Sequence, residues 1–445
     1  MQRTLNNETT KQIGNEVLIK GWIKARRNMG KIVFLDMRDR SGILQAVCVP
    51  SELDEASSAL LNNLRTEFVL EIKGIVNERG EKQKNSEMPT GTVEVLAKEI
   101  KILAEAETLP YDLDAEMKMD TYLDNMPLNL RSERAQAIFK IQSALVQGFR
   151  NFLIKENFTE FQAPKIVAGA TEGGANVFKL DYFGKQAFLA QSPQFYKQIM
   201  VGVYERVFTT GNVYRAEEHD TNRHINEYTS LDFEMGFIKD YTDLMSMVSD
   251  VIKNMVSTVR DECAAELKSL KATMPELPDE FPMMKLKAAQ QILEDEFGEA
   301  GATKEPDLEP HQERLLGEYA KKKWNSDFIF ITHYPVEKRP MYTMEDESDP
   351  GFTNSFDLLF RGTEIVTGSQ RINDYEKLKN NMVKFGFDPE HFKYYLQAFK
   401  FGMPPEGGIG MGLERVTWQL LGLQSIKQAT LFPRDQVRID ETFNK

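Results

Sequence analysis

Residues 213–234, VYRAEEHDTNRHINEYTSLDFE, form a polar turn between two strand-like runs and hold a dense group of candidate ligands. Arg215 and Glu217 are two positions apart, so a strand would direct both side chains to one face. A guanidinium there suits a phosphate, and a neighbouring carboxylate suits an exocyclic amine. Arg223 and His224 follow within the turn. Taken alone, the stretch also fits a surface hairpin joined by salt bridges.

A glycine-rich strand precedes a helix at residues 404–423, PPEGGIGMGLERVTWQLLGL. The strand is predicted to end at Gly412, with Arg415 in the first turn of the helix. Glycines allow a ligand to approach the backbone closely. The segment is not a P-loop, because no Gly-Lys-Ser/Thr follows, and it lacks the βαβ setting and the downstream acid of a dinucleotide fingerprint.

Two acids, Asp357 and Glu364, lie in residues 356–374, FDLLFRGTEIVTGSQRIND, close to Thr367 and Arg371. Two carboxylates beside a nucleotide can hold magnesium, which neutralises charge on the phosphates. Acids on one sheet face are also commonly paired with Lys or Arg. Both interpretations stay open at this point.

Residues 15–104 read as five short strands separated by glycine or polar breaks: VLIKGWIKA, KIVFLDMRD, ILQAVCV, FVLEIKGIV and TVEVLAKEIKIL. Five strands in a segment of this length predict a small closed barrel of the oligonucleotide-binding fold. Residues 20–40 carry seven cations and two acids, which favours a nucleic-acid surface. On such a surface a base can stack on Phe34 and hydrogen-bond Gln45, whereas the alternative puts Phe34 in the barrel core.

The chain has 445 residues, enough for two or three domains, and a formal net charge of −13, which excludes a polycation. No stretch approaches the roughly 18 apolar residues of a membrane span, so no membrane role is predicted. Two cysteines, Cys48 and Cys263, can form neither a disulfide framework nor a four-cysteine zinc site. They fit a reducing cytoplasm, and the first residues show no secretory or organelle signal.

An acidic, turn-like segment at residues 106–131 reads as a hinge. It separates the barrel domain, residues 1–105, from a larger domain, residues 132–445, in which strand-like runs alternate with helical ones. The larger domain opens with a helical pattern that leads into a strand interrupted by Pro164. The chain as a whole is therefore predicted to be of the α+β class.

Together these segments resemble the three ordered motifs of the class II aminoacyl-tRNA synthetases. The helix and strand ending at Pro164 look like motif 1, the dimer-forming element, residues 208–234 like motif 2, and residues 407–423 like motif 3. A barrel in front of such a catalytic domain is the layout of the aspartate, asparagine and lysine subgroup. The resemblance covers residues 15–435. It implies an antiparallel sheet flanked by helices, a homodimer and ATP-dependent ligase chemistry.

Within the subgroup the chain is similar to aspartyl enzymes of the compact archaeal-like type. The stretches that carry this match are TEGGANVF (171–178), QSPQFYKQ (191–198), TGSQRIND (367–374) and ATLFPRD (429–435). Asparaginyl enzymes usually lack a lysine at position 197 and end in FPR followed by Pro-Gly, where this chain has Asp435. Lysyl enzymes fit less well, because two cations would converge on a cationic side chain. An alternative from another functional class is an inactive paralogue that binds tRNA or a nucleotide. The complete set of motif residues argues against it.

The resemblance implies a role for each matching residue. The residues implied for ATP are Arg215 at the α-phosphate, Glu217 at the adenine amine, Arg223 and His224 at the outer phosphates, Tyr228 and Arg415 on the two faces of the adenine, and Glu364 and Gly412, with Arg215 and Arg415 catalytic. The implied Mg²⁺ residues are Asp357, Glu364 and Thr367. The residues implied for L-aspartate are Glu172 and Asp232 at the α-ammonium, and Gln194, Lys197 and Arg371 at the side chain. The implied anticodon residues are Phe34, Gln45 and Glu94.

The chemistry agrees with these roles. Attack by the amino-acid carboxylate on the α-phosphorus needs no protein nucleophile, so positioning and charge neutralisation carry the catalysis. Aspartate and asparagine are nearly isosteric, and Lys197 and Arg371 would stay uncompensated beside an amide, which favours the carboxylate. The predicted substrates are ATP, L-aspartate and tRNA(Asp).

The choice of tRNA depends on one anticodon base. The tRNAs for aspartate and asparagine share two anticodon bases and differ in the third, which is cytosine or uracil. The loops at residues 24–31 and 77–90 are the candidates to read it. Glu78, Glu81 and Glu87 in the second loop can accept from cytosine and repel uracil. This predicts a preference for tRNA(Asp), while charging of tRNA(Asn) stays open.

Overall fold

The structure of the protein is a computed structural model that describes residues 1–86, 88–169, 176–218 and 221–440. The chain divides into two units, Met1–Ala115 and Glu116–Lys445. This division falls inside the segment that the sequence marks as a hinge. No helix in the described ranges combines the length and the apolar content needed to cross a bilayer.

The first unit is a closed five-stranded barrel. Its elements are β1 (Glu16–Asn28), β2 (Val33–Asp39), β3 (Gly42–Cys48), α1 (Glu55–Leu60), β4 (Val69–Glu78) and β5 (Val93–Ala104). The strand order is β1-β2-β3-β5-β4, and β1 closes the barrel by pairing with β4. Along β2 every second residue is buried, so Val33, Leu35 and Met37 enter the core while Phe34 and Arg38 turn outward. The predicted barrel is confirmed.

Helix α1 was not foreseen from the sequence. The Asp54 carboxylate caps its start by accepting a hydrogen bond from the Ser57 N–H. A helix of six residues is too short to show an apolar period, so only its cap could have indicated it.

The second unit contains the remaining elements. Its helices are α2 (Met119–Asp124), α3 (Met126–Asn129), α4 (Glu133–Lys155), α5 (Gln194–Tyr204), α6 (Tyr241–Glu262), α7 (Ala264–Leu270), α8 (Leu286–Phe297), α9 (Pro310–Trp324), α10 (Tyr375–Lys384), α11 (Lys393–Lys400) and α12 (Leu413–Leu421). Its strands are β6 (Thr159–Glu160), β7 (Ile166–Val167), β8 (Lys179–Tyr182), β9 (Lys185–Leu189), β10 (Arg206–Tyr214), β11 (Glu227–Gly236), β12 (Met283–Lys285), β13 (Phe328–Thr332), β14 (Ser355–Phe360), β15 (Thr363–Gln370) and β16 (Glu406–Gly412).

Eight of these strands form one large sheet in the order β12-β13-β14-β15-β16-β11-β10-β6. The six central strands are antiparallel, and only the edge pairs β12-β13 and β10-β6 are parallel. A separate three-stranded sheet has the order β7-β9-β8. An antiparallel sheet with helices, preceded by a barrel, confirms the predicted α+β class.

Helices α4 and α6 cover one face of the large sheet. Their apolar residues recur every three or four positions, and the deeply buried ones are Ile141, Leu145, Phe149 and Leu153 in α4 and Leu244, Val248, Val251, Met255 and Val259 in α6. They pack in one cluster with Phe233 of β11 and Ile409 of β16. Because side chains alternate along a strand, Asp232 and Glu234 point to the opposite face of the sheet.

Candidate active site

A cavity of about 380 Å³ opens on the sheet face that carries Asp232. Its walls come from α5, β11, β15, β16, the start of α12 and the β10–β11 turn. The predicted residues that line it are Gln194, Lys197, Arg215, Glu217, Arg223, His224, Tyr228, Asp232, Glu364, Thr367, Arg371, Gly412 and Arg415. Asp357 does not line it but pairs with Arg339, which does. Glu172 lies outside the described residues.

Lys197 is buried in this cavity wall, with only 1% of its surface exposed. Its Nζ donates to Asp232 Oδ2 at 2.9 Å and to the Ile409 carbonyl at 2.8 Å, and it lies 3.1 Å from Glu234 Oε2. Helix α5 carries Lys197 on its buried face, one turn after Gln194. A lysine at this depth needs such partners, because an unpaired buried charge is very costly.

Arg371 lies beside Lys197 and shares its acidic partner. The Arg371 Nε donates to Glu234 Oε1 at 2.7 Å, and its Nη2 donates to the Gly408 carbonyl at 2.9 Å and to Gln194 Oε1 at 3.3 Å. Burial alone would raise the pKa of Glu234, but the charges of Arg371 and Lys197 lower it below the usual value. Glu234 therefore stays ionised between two cations.

Glu234 was missed by the sequence reading, and it changes the charge balance. Lys197 and Arg371 were expected to be uncompensated beside an amide. In the structure Glu234 pairs with both of them, and Asp232 pairs with Lys197. The signal was available, because Asp232 and Glu234 are two apart on one strand and therefore share its polar face.

The glycines of β16 make room for these acids. A Cβ atom on Gly408 would lie 2.1 Å from a Glu234 carboxylate oxygen, and one on Gly410 would lie 3.4 Å from Asp232 Oδ2. Gly410 and Gly412 also line the cavity. The glycine run therefore leaves space for the acidic side chains of the neighbouring strand β11. The sequence interpretation considers only the close approach of a ligand.

The β10–β11 turn holds Arg215 and Glu217. The sequence predicts that the two residues lie on a strand. This prediction is wrong, because strand β10 ends at Tyr214. They face the cavity because Asn226 binds the turn from within. Its Nδ2 donates to the Arg215 carbonyl at 2.8 Å and to the Glu217 carbonyl at 3.1 Å. The Arg215 guanidinium lies 5.5 Å from the centre of the Tyr228 ring.

Arg223 and His224 lie at the outer part of this turn. The Arg223 Nη2 donates to Glu313 Oε2 at 2.7 Å, and His224 Nε2 is 3.9 Å from Glu217 Oε2. Glu313 comes from α9, in an acidic helical segment, residues 261–325, for which the sequence alone predicts no role. Burial and the nearby charge of Glu364 raise the pKa of Glu313. This segment therefore reaches the cavity indirectly, through the contact of Glu313 with the lining residue Arg223.

Asp357, Glu364 and Thr367 lie together on β14 and β15, where Asp357 is paired opposite Thr367. Thr367 Oγ1 donates to Glu364 Oε1 at 2.8 Å, and Arg339 Nη2 donates to Asp357 Oδ2 at 2.8 Å. Burial raises the pKa of Asp357 to about 6, against the opposing effect of Arg339. Its buried Oδ1 has no hydrogen-bond partner among the described residues.

These residues are compatible with magnesium held together with phosphates. The described residues contain no group of three or more His, Cys, Asp or Glu side chains that would bind a metal by themselves. Mg²⁺ usually takes one or two carboxylates plus substrate phosphates and water. Glu364 and the unpartnered oxygen of Asp357 fit that pattern. The alternative given by the sequence, pairing with arginine, also occurs, since Asp357 pairs with Arg339 and Glu364 with Arg415.

Glu414, just before Arg415, is a further buried carboxyl at the cavity. It accepts hydrogen bonds from the Thr229 N–H at 3.0 and 3.1 Å. Strand β16 ends at Gly412, so this carboxylate takes the place of the next ladder partner of β11. Burial raises the pKa of Glu414 to about 7. The sequence reading passed over it, because a Glu in the first turn of a helix is common.

The predicted anticodon residues share the outer surface of the barrel. Phe34 is half-buried on the outward face of β2, so the alternative that puts it in the barrel core is wrong. Gln45 Nε2 donates to Glu94 Oε2 at 2.9 Å, and Arg27 Nη2 donates to Gln45 Oε1 at 3.0 Å. The Arg79 side chain, 5% exposed, lies 3.6 Å from Glu94.

Several cations of residues 20–40 are paired with acids, three of which come from outside this segment. The pairs are Lys20 with Glu71, Lys24 with Asp114, Arg27 with Asp36 and Arg38 with Glu67. The sequence count therefore overstates the positive charge of this surface, because strand pairing brings in partners that are distant along the chain.

A closed barrel, followed by an antiparallel sheet whose strands and turns bring Arg215, Glu364 and Arg415 to one cavity, defines a class II aminoacyl-tRNA synthetase. The family described as tRNA synthetases class II (D, K and N) matches residues 118–436, and an OB-fold nucleic acid binding domain matches residues 17–103. The chain belongs to this family of D, K and N tRNA synthetases.

The chain is also similar, over nearly its whole length, to individual tRNA ligases and to a solved structure. The chain is 44% identical to the aspartate–tRNA(Asp/Asn) ligase of Thermus thermophilus, over 98% of this chain and 99% of that protein. It is 39% identical to the aspartate–tRNA(Asp) ligase of Thermococcus kodakarensis, over 99% of this chain and 100% of that protein. The solved asparaginyl-tRNA synthetase of Pyrococcus horikoshii with asparaginyl-adenylate is 29% identical with a TM-score of 0.89, over 99% of both chains.

Proposed function

We propose that the protein joins L-aspartate to tRNA in two steps, through an aspartyl-adenylate made from ATP. Relatives of both aspartate–tRNA ligase types are similar over nearly the whole chain. The observation that carries the choice of amino acid is the buried group of Lys197, Arg371 and Glu234. These three leave one net positive charge at the site of the amino-acid side chain, and the carboxylate of aspartate matches it. Asparagine would leave that charge uncompensated.

Asp232 completes the charge match. In the proposed complex the α-ammonium of the substrate binds the Asp232 carboxylate, together with Glu172. Each charge of aspartate other than the reacting α-carboxylate then faces opposite charge in the protein. Gln194, hydrogen-bonded to Arg371, fixes the direction of the guanidinium toward the side-chain carboxylate.

Activation is a displacement at the α-phosphorus of ATP. An oxygen of the substrate α-carboxylate forms a bond to phosphorus, the bond to the bridging oxygen breaks, and pyrophosphate leaves. Arg215 neutralises the charge that develops on the α-phosphate, while Arg223 and His224 bind the outer phosphates. Tyr228 and Arg415 hold the adenine between them, with Gly412 leaving room beside the ring. The ribose hydroxyl of the tRNA terminus then displaces AMP.

Magnesium is the proposed cofactor. Glu364, Asp357 and Thr367 would hold it, and when bound it neutralises charge on the phosphates. Glu364 already accepts from Thr367 and lies 3.4 Å from Arg415. This second contact lets the chain hold the carboxylate in place before ATP arrives.

The barrel surface of Phe34, Gln45 and Glu94 is the proposed anticodon site. The predicted preference for tRNA(Asp) rested on the acids of the loop at 77–90. Glu78 and Glu81 both pair with Lys84 in the structure, and Glu87 lies outside the described residues. Because these two acids are engaged, we propose that tRNA(Asn) is charged along with tRNA(Asp). Charging both transcripts side by side tests this, and a large deficit on tRNA(Asn) would contradict it.

A homodimer formed through α4 and the Pro164 region is also proposed. Ile154 at the end of α4 is 57% exposed and Ile166 of β7 is 50% exposed, so apolar side chains flank Pro164 at the surface. We further propose a cytoplasmic location, where the unpaired thiols of Cys48 and Cys263 stay reduced. Sedimentation of the purified protein tests the dimer.

ATP–pyrophosphate exchange with each amino acid tests the function. The proposal expects exchange with aspartate and little with asparagine. The second candidate, an asparaginyl-tRNA synthetase, is favoured by the structural likeness to the Pyrococcus horikoshii enzyme. It predicts the reverse result. Exchange with neither amino acid would indicate the inactive paralogue that binds tRNA or a nucleotide.

A further inference from the structure

Glu406, the first residue of β16, is a fully buried carboxyl to which the chemistry described so far gives no role. Gln198 Nε2 donates to its Oε1 at 2.7 Å, and the Tyr395 hydroxyl donates to Gln198 Oε1 at 2.9 Å. The second bond fixes the orientation of the Gln198 amide. One Glu406 oxygen is therefore committed to an N–H donor.

The Glu406 carboxyl also faces the carboxyl of Glu234. The two carboxyls are in hydrogen-bonding contact. Glu406 Oε2 receives no hydrogen bond from an N–H or O–H group of the described residues. Two ionised carboxylates have no hydrogen to share, so one of the pair must carry a proton. Glu234 already accepts from Arg371 and lies 3.1 Å from the Lys197 ammonium, so the proton belongs on Glu406.

The charges around Glu406 agree with this assignment. The groups that face it are Glu234 on β11, Arg371 after β15 and Tyr395 on α11. Burial raises the pKa of Glu406 well above its usual value, and the charge of Glu234 raises it further against the opposing effect of Arg371. The pKa of Tyr395 is also raised, so its hydroxyl remains a donor to Gln198.

The proton has a consequence for the amino-acid site. Lys197, Arg371 and Glu234 leave one net positive charge toward the substrate side chain. An ionised Glu406 would cancel it, and the site would then match an uncharged side chain better than a carboxylate. The neutral O–H also donates to Glu234, which adds a third contact to those that Arg371 and Lys197 make with this carboxylate.

We propose that Glu406 acts as a neutral acid that positions Glu234 and thereby sets the charge of the amino-acid site in favour of a carboxylate substrate. This inference rests on the proposed activation of aspartate. Glu406 is a positioning residue, because it reaches the substrate only through Glu234 and the two cations.

The variants Glu406→Gln and Glu406→Met separate its charge from its hydrogen bond. Glutamine is neutral and can still donate to Glu234, so its KM for aspartate should stay within about threefold of the parent, with the KM for ATP unchanged. Methionine is neutral but cannot donate, so its KM for aspartate should rise at least about tenfold with the KM for ATP again unchanged. A thermal melt establishes that each variant is folded.

Infrared difference spectroscopy reads the proton without relying on activity. Subtracting the Glu406→Gln spectrum from the parent spectrum at neutral pH should leave the carbonyl band of a protonated carboxylic acid. Loss of a carboxylate band instead would overturn the assignment, and so would a folded glutamine variant with a tenfold or larger rise in the KM for aspartate. If the acid band is present but the parent activates no aspartate, the proposed function has failed and the specificity role falls with it, whereas the protonated Glu406 stands.

Discussion

Replacement of Lys197 by methionine should strongly reduce aspartate activation and also weaken the fold. The Lys197 ammonium contacts Asp232, Glu234 and the Ile409 carbonyl, and its side chain is almost fully buried. Removing one member of a buried, hydrogen-bonded ion pair costs about 3–5 kcal/mol of unfolding free energy. Loss of the same charge from a bound carboxylate costs about 2–5 kcal/mol, which is roughly 30-fold to several thousand-fold in the kcat/KM for aspartate.

The assay is aspartate-dependent pyrophosphate exchange, with ATP binding measured separately by calorimetry. ATP affinity should stay within about twofold, because no nucleotide role falls on Lys197. The double variant Lys197→Met, Asp232→Asn is the control for stability, since it removes a carboxylate that the single variant leaves without its cation. Its unfolding free energy should recover in part while exchange stays lost. A folded Lys197→Met protein with exchange within threefold of the parent would refute this account of the amino-acid site.

Three further predictions concern the nucleotide, the division of labour and pH. Arg215→Ala should abolish adenylate formation and leave the melting temperature nearly unchanged, because its side chain is 38% exposed; near-normal exchange or a misfolded variant would contradict the role. Deleting residues 1–115 should spare aspartate-dependent exchange but reduce charging of tRNA strongly, since the second unit has its own core; equal loss of both would show that the barrel supports the catalytic fold. Glu414, whose pKa burial raises to about 7, favours folding while it is protonated, so its contribution is lost as pH rises from its usual value near 4.5 through 7. Chemical denaturation at pH about 5 and about 8 should therefore show a larger loss of stability in the parent than in Glu414→Gln, and equal losses would refute the raised pKa.

The barrel and the motif hairpins could be predicted because their signals are local. Alternation along β2 separates Leu35 from its outward neighbours, and the glycine-rich run before Leu413 marks the passage from strand to helix. Periodicity of this kind depends only on residues close along the chain. The cavity residues supplied by the β10–β11 turn and by α12 were found in the same way.

What could not be predicted was which side chains meet across the sheet. Glu313 contacts Arg223 from a helix 90 positions away, and Glu406 lies beside Glu234 only because β16 pairs with β11. Neither contact leaves a mark in the local pattern. The same reason explains the barrel surface, where Lys20 meets Glu71 across two strands and the local excess of cations is reduced.

Pairing across strands also decided the electrostatics of the amino-acid site. From the sequence, Lys197 and Arg371 were two cations with no acid between them. The fold places Glu234 between them, so the proposed amino-acid site carries one net positive charge and not two. The proposed protonation of Glu406 also depends on pairing across strands, since Glu406 on β16 lies beside Glu234 on β11.

The most direct test of the account is to identify the adenylate formed in a single turnover. The purified protein is mixed with ATP and an equimolar mixture of L-aspartate and L-asparagine, the reaction is quenched, and the bound adenylates are measured by mass spectrometry. One net positive charge at Lys197, Arg371 and Glu234 predicts aspartyl-adenylate in large excess. A predominance of asparaginyl-adenylate, or comparable amounts of the two, would contradict it.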